Sequence, residues 1–475
     1  MQNPDVVVIG AGAAGCVLAY RLARQNLRVL VLEQGPRHDP TTFPHNEFDA
    51  VPRLYKHGSP QPTKDNRMSI LQGQGVGGST VINNAIWIRP DLDRVLPEWA
   101  ERGAHVDRPA LTRAYQELEA WLRVAPIPAD MQTPGTTLFT QGCARLGITC
   151  QILSHNRDTC TGCGWCNYGC KYNRKLSGLV TFVPWAETLG AQFLDHCEEI
   201  SLRQQSRHIT EVTFTRNGQQ QSVAPGRVVV SCGAIGSSAL LLRNDINPGG
   251  RVGKNFHLFG GVMVTALSPT PLDAYDKIGL VAFTQPHPQC VIETFFAPPG
   301  GFCLTVSGWG ADLGTKMQHY ASCAQAGVMV PTDPDGEITV SGNKEVIEVT
   351  LPETRLQLLK DGIKQLARIF LRGGATEVWP ATFQHLSIRT EADLGLIDAA
   401  ITGSDDLLFG SAHPQGGNAM SDDPALGVVN SRFLVHGFDN LFVADASVFP
   451  SNIVANCQAT VMGMASLAAQ SIASP

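Results

Sequence analysis

The chain opens on an unbroken apolar run, "VVVI" at 6–9, followed at once by glycines and alanines. Such a run, bounded by glycine, reads as a strand buried on both faces in a parallel sheet. Apolar positions then recur at helical spacing over 16–24, and a second apolar run, "RVLVLE", ends at Glu33. Strand, glycine turn, helix and strand in this order make a βαβ unit. Two later apolar runs, "RVVVS" before Gly233 and "LFVA" before Asp445, predict further strands of the same kind.

Between these runs the period changes. Residues 91–125 and 131–147 carry helical spacing. The stretches "ISLR" and "ITEVTFTR" predict strands, with a turn at Asn217-Gly218. From 258 to 350 the chain alternates apolar and polar in short pieces: "VMVTAL", "GLVAFT", "CVIETFF", "CLTVSG", "AGVMV", "EITVSG" and "VIEVTL". This pattern predicts a mostly antiparallel sheet. Residues 352–373 read as an amphipathic helix, and 457–472 as a buried one. The fold class is therefore α/β with α+β character: a Rossmann-like dinucleotide-binding domain with an intercalated substrate domain. The expected division is 1–90, 179–257 and 405–475 for the cofactor, 91–178 for a helical region with a Cys-rich loop at 158–174, and 258–404 for the substrate.

Composition narrows the class. At 475 residues the chain exceeds one ordinary domain, and 43% hydrophobic with 16% charged residues suits a large soluble core. The net charge of −6 has no basic stripe, which argues against nucleic acid and anionic membrane surfaces. The last apolar stretch is interrupted by Ser, Asn, Gln and Thr, so it predicts no membrane span. The chain reaches its first strand within a few residues, leaving no room for a leader, and the expected location is cytoplasmic; export with a partner subunit stays open.

The glycines carry the first chemistry. Gly10, Gly12 and Gly15 form G-x-G-x-x-G between the first strand and helix, with Glu33 about 20 residues on to accept from a ribose. An acid at that place disfavours a 2′-phosphate. A second loop, "LQGQGVGGSTVINNAIWIRP", bares its backbone at Gly77 and Gly78 and offers Ser79, Asn83 and Asn84. A nicotinamide enzyme has no need of this second loop. A flavin does, because its ring system needs a flat floor and polar partners at one edge, so the expected cofactor is FAD.

At this loop the chain resembles the glucose–methanol–choline (GMC) oxidoreductase family. Gly73, Val76, Gly77, Gly78, Ser79, Thr80, Ile82, Asn83 and Trp87 match its first signature, while Gln74 departs from it. "GAIGSSALLLRND" resembles part of the second signature, with Asp245-Ile246 replacing its usual Ser-Gly ending, and "RVGKNF" at 251–256 follows. "AHPQGGNAM" and the segment from Gly427 to Ala465 resemble the family's closing pattern. The resemblance implies that His413 and Asn456 face the flavin, and that Asp445 and Ala446 lie along its ribityl chain or pyrophosphate. Cys457 stands where proline is usual. His suits removal of a hydroxyl proton near neutral pH, and Asn can orient the oxygen without competing as a base. Asn456 is also expected as N-cap of the last helix.

One motif lies outside this set. Cys160, Cys163, Cys166 and Cys170 fall at C-x2-C-x2-C-x3-C, a ferredoxin-like spacing, with Lys171 in place of the usual proline. An iron–sulfur cluster (4Fe-4S or 3Fe-4S), structural zinc, and disulfides or free thiols are the readings. The resemblance to cluster-bearing sugar and alcohol dehydrogenases implies the first. The expected function is then FAD-dependent oxidation of a sugar- or polyol-like alcohol, with His413 as base and electrons passed through the cluster to a redox partner protein, quinone or cytochrome. An oxidase that uses dioxygen, with structural cysteines, and a non-redox lyase that retains FAD are the alternatives. Lys171, Arg174 and Lys175 form a candidate docking patch or a solvated basic face.

Overall fold

The computed structural model describes residues 3–44 and 46–474. Its first layer is a parallel sheet of five strands. In spatial order they are Leu441–Val443, Arg227–Val230, Val6–Ile9, Val29–Leu32 and Gln192–Leu194. Val6 pairs with Arg227 on one side and Val29 on the other. The central strand Val6–Ile9 and its neighbour Val29–Leu32 are buried at every position. That burial on both faces is why their sequences run apolar without alternation.

The helix Ala13–Ala23 packs on this sheet and against the last helix, Gln458–Ala473. The last helix is buried on nearly all sides because its neighbours are close: a methyl on Gly463 would meet Leu111 and Tyr115 at 2.9 Å. Its apolar character thus serves helix packing. Among the described residues no helix is long and apolar enough to cross a membrane.

The second layer is a larger mixed sheet built around one long strand, Lys254–Leu267. It runs antiparallel to Cys323–Pro331 on one side and to Phe409–Gln415 on the other. Cys290–Phe295 lies beyond Cys323–Pro331, also antiparallel. The amphipathic helix Glu353–Gly373 covers this sheet with Leu359, Ile363, Leu366 and Phe370. The expected α/β architecture and antiparallel substrate sheet are both present. The strands Cys197–Gln205, His208–Arg216 and Gln219–Val223 instead make a small antiparallel sheet of their own.

One expected strand is absent. "CLTVSG" follows Pro-Gly-Gly, and the chain there forms the short helix Pro299–Cys303. The Glu47 carboxylate accepts from the amides of Gly300 (2.6 Å) and Gly301 (2.8 Å) at that helix's start. A distant anion on free helical N–H groups outweighs the local alternation.

Candidate active site

The first helix begins where the first strand ends, and three glycines allow the join. An ideal methyl on Gly15 would lie 1.9 Å from the Gly10 carbonyl oxygen, so only glycine lets the helix pass the strand. Gly12 differs: a methyl there meets nothing within 4 Å. Its bare backbone, at the helix N-terminus, faces a cavity of about 870 Å³. This is the cradle a pyrophosphate needs. The second glycine loop closes over it: the Gly77 amide donates to the Ala11 carbonyl (2.7 Å), and a methyl on Gly78 would meet the Gly12 Cα at 2.7 Å.

Glu33 ties the two loops together. Its carboxylate accepts from Ala11 N (2.8 Å), Gly35 N (2.9 Å) and Gly75 N (3.2 Å), and it lines the cavity. Asp445 is buried, and burial raises its carboxyl despite bonds from Ser237, Ser447 and Gly233. Ala446 and Asp445 both line the cavity. Ser79, Asn83 and Asn84 line it too, but their side chains have protein partners: Ser79 accepts from Gly73 N, Asn83 donates to Gln458, and Asn84 donates to Asn167. They shape the loop that forms the cavity wall. The glycine cradle and this polar wall fit a flavin dinucleotide.

At the far end of the cavity three polar side chains from separate elements meet. His413 sits on the Phe409–Gln415 strand, opposite Phe259 of the long strand. Asn456 lies in the turn before the last helix. Glu293 comes from the Cys290–Phe295 strand. The Asn456 amide nitrogen stands 3.3 Å from His413 Nε2 and 3.4 Å from Glu293 Oε2. His413 Nδ1, Asn456 Oδ1 and Glu293 Oε1 are buried without a protein partner. Buried polar atoms without partners are rare, and three converging on one cavity are aimed at a ligand.

Burial sets their charge states. It depresses the His413 imidazole to about 4, so the ring is neutral at working pH. It raises the Glu293 carboxyl to about 7, partly offset by the Asn456 bond. Two titratable groups are thus poised differently in one pocket.

The approach to Asn456 is strained. Val454 has φ +52°, a genuine outlier for a β-branched residue. Asn452 holds it by accepting from its amide at 2.9 Å. Such strain persists only where its surroundings over-determine it, and here it directs Asn456 into the cavity. Asn456 is not the helix cap; Cys457 occupies that place, and its side chain makes no capping bond. The amide is engaged by His413 and Glu293 instead.

Glu293 is the residue that sequence reasoning missed. Its one signal is a carboxylate inside "CVIETFF", an otherwise apolar strand. The register explains its position: Glu293 pairs with Gly327, and Gly327 with Met263. All three face the cavity, together with Phe295 and Met329. The floor near His413 is therefore apolar, with Glu293 and Thr305 as its polar exceptions. A sugar would leave several hydroxyls without partners there.

The cysteine run lies behind the flavin loop. It is a loop with one short 3₁₀ turn, Cys166–Tyr168. All four cysteines are free in this structure. Among the described residues no three His, Cys, Asp or Glu side chains are gathered to hold a metal ion. A preformed set of ligands for zinc, which needs four tightly converging groups, is therefore absent. The expectation of a ready-made metal site is corrected to that extent. Lys175, expected as part of an exposed docking patch, is buried; its ammonium donates to the carbonyls of Val81, Asn83 and Cys166, each at 2.7 Å.

Comparison with known proteins gives the same architecture. Residues 5–259 match a family model described as GMC oxidoreductase, and residues 332–465 match a second of that description. An uncharacterised GMC-type oxidoreductase of Mycobacterium tuberculosis is 27% identical over 474 residues, covering 98% of this chain and 75% of that protein. A long-chain-alcohol oxidase of Arabidopsis thaliana is 26% identical over 509 residues, 97% of this chain and 66% of that one. Among solved structures, pyridoxine 4-oxidase from Mesorbium loti superposes with a TM-score of 0.72 at 18% identity, covering 98% of this chain and 99% of that one.

Proposed function

Because this chain belongs to the GMC oxidoreductase family, we propose that it oxidises an apolar alcohol in the cavity where His413, Asn456 and Glu293 converge. Membership makes it an FAD-dependent oxidoreductase. The reading is carried by the three unpartnered polar atoms that meet in that cavity. FAD, when bound, supplies the hydride acceptor; Gly10, Gly12, Gly78, Asp445 and Ala446 would hold it, in a cradle that Gly15 and Gly77 allow to close. His413, neutral and buried, takes the hydroxyl proton. Asn456 orients the substrate oxygen. The imidazolium that forms would be costly in so dry a site, and the Glu293 carboxylate, one amide away, offsets that cost.

The apolar floor sets the substrate class. Met263, Phe295 and Met329 suit an aliphatic chain or a fused ring better than the sugar or polyol first expected, and the long-chain-alcohol oxidase is in keeping with this. A panel of primary alcohols should show kcat/KM rising with chain length, by roughly threefold or more per methylene while each is buried, since a buried CH₂ contributes about 0.8 kcal/mol. A hexose preferred over an aliphatic alcohol of similar size would overturn this reading. The names of the alcohol and pyridoxine oxidases favour dioxygen as acceptor.

Glu293 predicts a distinct pH signature. Its folded value lies above its unfolded value of 4.5, so the fold favours the neutral acid. That stabilisation is complete below pH 4.5 and is lost as pH rises to about 7, a difference of about 3 kcal/mol. Glu293→Gln stays neutral throughout. It should therefore raise the apparent Tm over the wild type more at pH 8 than at pH 5. In the same variant the rise of kcat/KM through pH 7 should disappear, with a loss of about tenfold at pH 8, or roughly 1.4 kcal/mol. Equal Tm gains at both pH values would contradict the buried, raised carboxyl.

A further inference from the structure

Two cations behind the flavin loop take no part in the chemistry above. Arg157 is only 5% exposed and Lys175 only 2%, and their backbones pair as an antiparallel bridge. Residues directly opposite in such a pair carry their side chains on one face, and like charges there repel. Among the described residues, their side-chain partners are backbone carbonyls and one sulfur, not carboxylates. The Lys175 ammonium donates to the carbonyls of Val81, Asn83 and Cys166, which uses its three protons and leaves its charge unneutralised. Arg157 Nη2 donates to the Asn84 carbonyl and to Cys166 Sγ, while Nε and Nη1 are buried with no partner. Burial draws the Lys175 ammonium down to about 8, so it is still charged at pH 7. Cys166 is the one partner able to become an anion, and a single thiolate offsets only one of two positive charges. Charge held out of water in this way is costly, and a fold keeps it where something else offsets the cost.

The pair faces the wall of the cofactor cavity. The carbonyls it holds belong to residues 81–84, and Ile82, Asn83 and Asn84 line that cavity. Asn167 lines it too and donates to the Ile82 carbonyl at 3.0 Å. The excess charge therefore stands one layer of backbone behind the wall. Asn83 also donates to Gln458, two residues after Asn456, which ties this stretch of the loop to the turn that carries Asn456. The charge thus lies beside the reacting part of the cavity.

We propose that Lys175 and Arg157 are positioning residues whose buried charge stabilises the negative charge that reduction places on the flavin ring, and so raises the potential of bound FAD. Hydride transfer breaks one C–H bond and carries two electrons and one proton to the ring, while the hydroxyl proton goes to His413. The ring system therefore gains one negative charge. Fixed positive charge aimed at the place where negative charge develops needs no reorganisation when the reaction occurs. Across one layer of backbone, about 10 Å at an effective dielectric near 20, a unit charge changes such an equilibrium roughly tenfold. The inference requires FAD in the cavity and does not depend on which alcohol is oxidised.

The test is the two-electron midpoint potential of the FAD-loaded protein at pH 7, measured against reference dyes with dithionite as reductant and no alcohol present. Lys175→Met and Arg157→Met should each lower it by about 30 mV, a tenfold smaller equilibrium constant for reduction. Sulfite, which adds to the flavin ring and leaves it negatively charged, should bind both variants about tenfold more weakly. Arg157→Lys keeps the charge and should stay within about twofold of the wild type in both measurements. A purely structural staple predicts otherwise: methionine variants that melt earlier or hold less FAD, with the potential of the retained flavin unmoved. That result would overturn the proposal, as would loss of FAD from both methionine variants or an equal shift in Arg157→Lys and Arg157→Met. The two readings fail separately. Wild-type flavin that no alcohol bleaches leaves the potential shifts standing, and unshifted potentials leave the alcohol oxidation standing.

Discussion

His413→Asn should lower the rate of flavin reduction by alcohol about a thousandfold, within the 10²–10⁴ range of a positioned acid–base group. His413 is a titratable base in the cavity beside Asn456 and Glu293, and burial keeps it neutral over the whole working range. Asparagine at 413 cannot accept the proton. The side chain that replaces the ring is smaller, and its neighbours Phe259 and Asn456 are held by their own strand and turn. FAD content should therefore stay near the wild-type value, since the glycine cradle lies at the other end of the cavity. Anaerobic stopped-flow measurement of the flavin band checks both points. A loss below tenfold would remove His413 from the role of base.

Gly12→Val should give a folded chain without flavin. The Gly12 backbone is extended, at φ −78° and ψ −162°, which valine adopts readily. Nothing in the protein lies within 4 Å of the added Cβ, so the apo fold should keep its circular dichroism and solubility. The side chain instead projects where the cofactor's phosphates must approach the backbone. Bound FAD should fall to below roughly a tenth per chain, since a methyl group's intrusion of this kind costs more than the 1.4 kcal/mol that a factor of ten represents. Gly15→Val is the contrast: its Cβ would sit 1.9 Å from the Gly10 carbonyl oxygen, and the chain should fail to fold. Full FAD content in Gly12→Val would mean that the dinucleotide does not cross this backbone.

Much of this was legible where the determinant is local. The Val6–Ile9 strand and the glycine turn after it declare themselves because a fully buried parallel strand has no polar face to show. Glu353–Gly373 was legible through its period, since one face alone is buried. What sequence could not give depends on residues far apart in the chain. "CLTVSG" lost its strand to Glu47, some 250 positions away. Glu293 joined His413 and Asn456 only through the register of four antiparallel strands. The apolar floor, on which the proposed preference for an aliphatic alcohol rests, follows from that same register. The cysteine spacing was plain, but the buried Arg157 and Lys175 that join it to the flavin loop were not. Lys175 sat in a basic run that reads as solvated surface, and only the fold turns it inward.

The most direct test is a single anaerobic turnover. FAD-loaded protein is mixed with one equivalent of a medium-chain primary alcohol, and the flavin absorbance and the aldehyde are followed together. The account predicts that the oxidised flavin bands bleach while one aldehyde forms per two electrons taken up, that Glu293→Gln slows the bleaching at pH 8, and that His413→Asn nearly abolishes it. Flavin that stays fully oxidised with aliphatic, aromatic and sterol alcohols alike would contradict it, and would leave a chain that keeps its cofactor for a reaction other than alcohol oxidation.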